Sequence, residues 1–290
     1  MNRWPAVLLA GNLFLLAACG GSGSKGSAAS TSGPTTAPTS SSTLGAPSTT
    51  AGRSAAAAGS TTTHRPATGK DPVVVGLGNS VPSGAACGCQ SFVGVYAAMV
   101  AAGTNTKATV DNEAVAGSTS ADVVNLLTRA SVQAELRSAT TVLIMTGAND
   151  FNDSFDQVSL GSPANLTYAP VATAVQDNVT GVVQQIHSLN PAAHVVILDY
   201  WAAMEDGAVA ARDYDPPTMA ASVASTTYVN QALAVAAKAT NAVYVSTYTA
   251  FKGADGKADP TSLLAADGDH PDAAGHELIA RTIYGVLPTG

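Results

Sequence analysis

Pro72-Val73-Val74-Val75-Gly76-Leu77-Gly78-Asn79-Ser80 is the stretch on which the reading of this 290-residue chain turns. An apolar, β-branched run that ends in a glycine-rich turn reads as a strand covered on both faces, as strands of parallel sheets are. Four further runs have the same character: Ala108-Thr109-Val110, Thr140-Thr141-Val142-Leu143-Ile144-Met145, His194-Val195-Val196-Ile197-Leu198 and Ala242-Val243-Tyr244-Val245. Helical patterns fill the intervals, over residues 91–102, 120–138, 171–189, 219–239 and 273–286. Gly103, Pro191 and the Pro216-Pro217 pair break the chain between them. Strands alternating with helices predict an α/β fold, a three-layer α/β/α domain around a five-stranded parallel sheet. In such sheets, ligand-handling groups lie beyond the carboxyl ends of the strands. Ser80, Gly117, Asn149 and the Tyr200-Trp201 pair each follow a predicted strand.

Residues upstream of this domain read differently. Arg3 precedes an apolar run from Ala6 to Ala18 that is too short to span a bilayer, so residues 1–18 read as an export signal. The run ends Leu16-Ala17-Ala18-Cys19, which is similar to the lipobox of bacterial lipoproteins, with Cys19 as the lipidated residue. Residues 20–70 hold only Ser, Thr, Gly, Ala and Pro apart from Lys25, Leu44, Arg53, His64, Arg65 and Lys70. Such a segment has little apolar surface to offset its chain entropy and is expected to be a disordered linker, spanning about 40 Å on average. The expected organisation is therefore a signal over 1–18, an anchored linker over 19–70 and one domain over 71–290, exported and held at the cell membrane.

Charge narrows the partners. All 20 acidic residues lie from Asp71 onward, against eight Lys and Arg there, a formal net charge of −12 for the domain. A surface this acidic argues against nucleic acid. Beyond Cys19 the cysteines are Cys87 and Cys89, which an exported setting allows to form a disulfide, although a bridge across one residue leaves a reduced pair equally open. No further ligand of zinc-site spacing stands near them in the sequence.

Four segments carry the chemistry: Gly76-Leu77-Gly78-Asn79-Ser80, Asn112-Glu113-Ala114-Val115-Ala116-Gly117, Gly147-Ala148-Asn149-Asp150 and Asp267-Gly268-Asp269-His270-Pro271. A serine hydroxyl needs a base to become a nucleophile, and the base needs an orienting carboxylate on its other ring nitrogen. Asp267, three residues before His270, can reach Nδ1 in a turn and leave Nε2 for Ser80. Pro271 is expected to start the last helix, with Asp269 as an alternative cap. A metal cluster of Asp267, Asp269, His270, Asp272 and His276 lacks the regular carboxylate spacing of hard-cation loops. The backbone N–H of Gly117 and the side-chain amide of Asn149 are candidate oxyanion donors. Phe151, Tyr200, Trp201 and Tyr214 on the same rim serve equally as walls of an acyl or sugar pocket or as lids over the core.

Taken in order, these Ser, Gly, Asn and His segments resemble the four blocks of the SGNH hydrolases, the GDSL-type lipases and esterases, across residues 71–288. The resemblance implies a flavodoxin-like sheet, a Ser80–His270–Asp267 triad, an oxyanion hole from Ser80, Gly117 and Asn149, and no metal or organic cofactor. A lipid, glycan or small-molecule acyl ester is the expected substrate, and a monomer the expected state. Asn79 stands where the family's first block carries aspartate. The activity expected is ester hydrolysis. An acyltransferase with the same triad, or an inactive envelope-binding domain, are the other readings.

Overall fold

A computed structural model of the chain describes residues 71–287, so the expected signal, Cys19 and the linker lie outside the described residues. The strands are β1 (Val73–Gly78), β2 (Thr109–Asn112), β3 (Thr141–Met145), β4 (His194–Leu198) and β5 (Val243–Val245). They form one parallel sheet in the order β2-β1-β3-β4-β5. Ten α-helices are described: α1 (Ser80–Ser83), α2 (Phe92–Thr104), α3 (Ser120–Leu126), α4 (Ala130–Ser138), α5 (Asn152–Ser159), α6 (Ala164–Leu189), α7 (Gly207–Asp213), α8 (Pro216–Thr240), α9 (Thr247–Lys252) and α10 (Ala273–Val286). The expected α/β class and five-stranded parallel sheet are what the chain forms.

The core sits on both sides of the sheet. Consecutive residues such as Val74 and Val75, or Leu143 and Ile144, are fully buried, so both faces of β1 and β3 are covered. α2 and α10 pack together against the sheet, while α6 packs on α8 with α3 and α4 beside it. β2 departs from the expectation: it is an edge strand, and Val110 remains 40% exposed. The order 2-1-3-4-5 reverses direction between β1 and β3, and the crevice at such a switch point is where open α/β sheets bind ligands.

Helix boundaries differ from the sequence reading for local reasons. The single helix expected over 120–138 is two, because the chain turns at Leu127-Thr128-Arg129 to bury Leu127; its carbonyl accepts Gln133 Nε2 (3.0 Å) and Gln185 Nε2 (3.2 Å). α6 starts seven residues early and passes through Pro170, whose missing N–H falls on an exposed side of the helix. Pro216 and Pro217 do not break a helix but begin one. Their missing N–H groups coincide with first-turn donors that have no partner, and Asp215 caps the turn by accepting Thr218 N–H at 2.9 Å. The last helix begins at Ala273 under an Asp272 cap, not at Pro271 or under Asp269. Pro271 is spent instead on a bridge to Leu264.

His276 on α10 is fully buried, and its Nδ1 accepts the N–H of Phe92, the first residue of α2, at 3.2 Å. Burial pushes its pKa down to about 4, with Asp272 opposing and His270 adding to the shift. A histidine depressed in the folded state is protonated first in the unfolded chain, so stability falls as pH drops below about 6.5 towards about 4. Moving from about pH 7.5 to about pH 5.5 is expected to cost about 1 kcal/mol through this group. In urea titrations, His276→Gln should show a pH dependence of stability weaker by that amount.

Candidate active site

β1 delivers Ser80 to the rim through a close backbone approach. Gly78 has φ +135°, and a Cβ there would collide with the carbonyl oxygen of Met145 on β3. Glycine thus lets β1 lie against β3 up to its last residue, with Gly78 paired to Met145. The next residue, Asn79, is buried; its N–H donates to Met145 O (3.2 Å) and its Oδ1 accepts Val81 N–H (3.3 Å), capping α1. Ser80 heads that turn and is half-buried, its N–H among the first-turn donors without a helical acceptor. Asn112 at the end of β2 braces the same turn, donating from Nδ2 to Pro82 O at 2.8 Å.

The second segment, which follows β2, and the third, which follows β3, meet through Asn149 and Ser118. Asn149 follows β3 and donates from Nδ2 to Ser118 O at 2.9 Å, which draws the Gly117 turn to its side. One amide hydrogen of Asn149 remains for another acceptor. Gly117 is exposed, has φ +85°, and would place a Cβ in open space; its N–H is absent from the backbone hydrogen bonds of the described residues. Asp150, whose role the sequence reading did not separate from Asn149, holds this pairing. Its carboxylate accepts Ser120 N–H (2.8 Å) and Ser120 Oγ–H (2.6 Å), while Asn178 donates to that same hydroxyl (2.9 Å). Burial pushes the Asp150 carboxyl up, and the Ser120 bonds work against that. An aspartate directly after Asn149 was the available signal.

The fourth segment is a pinned loop. Asp267 Oδ1 accepts the N–H groups of Asp269 and His270, both at 3.1 Å, and its Oδ2 lies 2.8 Å from His270 Nδ1. Burial alone would push the Asp267 carboxyl up; the bonds from His270 and Asp269 outweigh it and hold the group below its ordinary value. Asp269 stands farther off, 3.7 Å from Nδ1. His270 Nε2 is buried and has no hydrogen-bond partner among the described residues. Ala265 N–H to His270 O (2.8 Å) and Asp206 N–H to Gly268 O (2.8 Å) lock the loop to its surroundings. The His270 and Ser80 segments are joined indirectly, through α10 against α2 and the His276–Phe92 bond. No hydrogen bond links Ser80 Oγ to His270 among the described residues.

Of the remaining candidates, Tyr200 bonds to this group among the described residues, its hydroxyl accepting Asn79 Nδ2 at 2.9 Å. Phe151, Tyr200 and Trp201 are core residues: Phe151 meets Tyr168 edge-on at 5.4 Å, and Trp201 stacks on Phe251 at 4.3 Å. Tyr214 is half-buried against Phe155 and accepts Glu205 N–H. Cys87 and Cys89 are joined as a disulfide. The sequence showed no third ligand near them, but the fold brings His276 to within 4.8 Å of the pair. With the sulfurs bonded to each other and His276 Nδ1 taken by Phe92, these groups are not arranged to hold a metal. Asp269, Asp272 and His276 of the acidic cluster weighed earlier serve respectively the His270 loop, the α10 cap and the core.

A profile of the GDSL-like lipase/acylhydrolase family matches residues 77–278, spanning all four segments. The chain belongs to that family. Solved structures carry the same fold at low identity. A lipase from goat rumen metagenome is 16% identical, with 74% of this chain and 96% of that one covered and a TM-score of 0.59. A phospholipase A1 from Streptomyces albidoflavus is 22% identical, with 75% and 100% covered and a TM-score of 0.56. A catalytic mutant of an acetylxylan esterase from Geobacillus stearothermophilus is 19% identical, with 76% and 95% covered and a TM-score of 0.53. No curated protein matches the chain significantly. In this GDSL-type domain Gly78 tolerates no side chain, since a Cβ would collide with the Met145 carbonyl oxygen. Gly78→Ala should cost about 3 kcal/mol or more, read as a lowered urea midpoint together with lost esterase activity.

Proposed function

We propose that this GDSL-type domain is a serine ester hydrolase with Ser80 as nucleophile, His270 as general base and Asp267 as its orienting carboxylate. One observation carries the reading: Asp267 grips His270 Nδ1 at 2.8 Å while Nε2 is left buried and unbonded, so that its lone pair is not committed to another group. Ser80 Oγ attacks the ester carbonyl carbon as its proton passes to Nε2. The tetrahedral oxyanion takes hydrogen bonds from the N–H groups of Ser80 and Gly117 and from the free amide hydrogen of Asn149. His270 then returns the proton to the leaving alcohol, giving an acyl-Ser80 ester. Water attacks that ester with His270 again as base, releasing the acid and restoring the serine. Acyl esters of lipids, glycans or small alcohols fit this chemistry.

The test is turnover of a short-chain p-nitrophenyl ester together with labelling by a fluorophosphonate. Ser80→Ala is expected to lose about 10⁴-fold or more in kcat and all labelling, with an unchanged melting temperature. Asp267→Ala should lose about 10²-fold or more, whereas Asp269→Ala should stay within about threefold, because only the former holds Nδ1. Full turnover in Ser80→Ala would sink the assignment.

The reading extends to location. The Leu16-Ala17-Ala18-Cys19 order supports lipidation at Cys19 and a domain carried on a tether at the cell membrane. Wild-type protein expressed with its leader should then partition into detergent phase, and Cys19→Ser should move to the aqueous phase with esterase activity retained.

A further inference from the structure

Tyr200 is the first residue beyond the Asp199 that ends β4's turn, and it is clamped more firmly than its place in a loop requires. Asn230 on α8 accepts its N–H at 2.9 Å and donates to its carbonyl at 2.7 Å. The hydroxyl, with the residue only 2% exposed, is thereby a fixed point inside the rim. The end of β1 leans on it: Asn79, the residue before Ser80, donates to it from Nδ2 at 2.9 Å.

The amide of Asn79 has one orientation available. Oδ1 is committed to Val81 N–H at 3.3 Å, so Nδ2 must face the tyrosine. Asn79 is thus held by its backbone to β3, by its amide oxygen to the Ser80 turn, and by its amide nitrogen to β4's loop. Every one of these bonds is buried, where an unmade partner costs the full desolvation of the group left behind. No other side-chain bond of the described residues joins the Ser80 turn to the β4 side of the sheet.

We propose that the Asn79–Tyr200 hydrogen bond is a positioning device for Ser80, which makes Tyr200 a positioning residue for the reaction. The inference rests on the reading of Ser80 as nucleophile. Tyr200 does not touch the ester; it sets where the turn carrying Ser80 sits relative to the Asn149 segment. Misplacement of a nucleophile shows in the chemical step more than in substrate binding.

Tyr200→Phe, Asn79→Ala and the double variant separate this role from simple stability. Each single variant is expected to lower kcat and the fluorophosphonate labelling rate about tenfold, with KM within about twofold. The double variant should be no slower than the slower single one, since both act through the same bond. Asn79→Asp retains the shape and can accept the hydroxyl's own proton. It should recover part of the rate lost in Asn79→Ala when Tyr200 is present and none in the Tyr200→Phe background. Urea midpoints measured alongside show whether a variant is folded at the assay temperature. Labelling of Tyr200→Phe at the wild-type rate, losses that multiply in the double variant, or a loss confined to KM would each overturn the proposal while leaving the hydrolase reading intact. Absence of labelling in the wild-type protein would overturn both.

Discussion

Backbone contact between the ends of β1 and β3 is the constraint on which the site depends. Gly78 lies against the Met145 carbonyl where no side chain fits, and the Asn79 N–H completes the contact. That approach sets Ser80 on one side of the sheet's switch point and Asn149 on the other. Without it the sheet could still pair, but the Ser80 turn and the Asn149 segment would belong to separate loops. A parallel sheet supplies the register and glycine supplies the last few ångströms.

Around that contact the rim is built from short polar side chains tied to backbone, with few exposed ion pairs. Asp150 takes both donors of Ser120, Asp267 takes two backbone N–H groups and an imidazole, and the Asp199 carboxylate takes Tyr248 N–H, Tyr244 O–H and the Thr247 hydroxyl. Burial raises the Asp150 and Asp199 carboxyls, whereas Asp267 is far more exposed and its donors prevail over the burial it does suffer. Asp150 and Asp199 hold the first residues of α3 and α9, while Asp267 orders its own loop. Preorganisation of this kind suits a reaction in which charge appears on an oxygen that was neutral in the substrate.

The strands and the last helix were legible because their signals are local. β-branched runs mark β3 and β4 to within a residue, and 273–286 is helical as its pattern predicts. Exposed edges and broken helices were less legible. β2 looks like its neighbours in sequence, and its exposure follows only from its place at the end of the sheet order. The turn at Leu127 looks like helix until the glutamines of α4 and α6 bond its carbonyl. Tyr200 and Trp201 read as pocket or lid; the fold puts both in the core, because Asn230 and Phe251 claim them first.

The order of residues alone determined the α/β class, the four chemistry-bearing segments and the Asp267–His270 pair, because a three-residue turn and a strand's apolar run are properties of neighbours in the chain. Tertiary structure decided which oxygen holds Asn79, that Asp150 ties the start of α3 beside the Gly117 turn, and that a buried histidine on α10 reaches the start of α2. Those bonds join residues separated by 121, 30 and 184 positions. Their partners are chosen by the packing of the whole sheet, which no local pattern encodes.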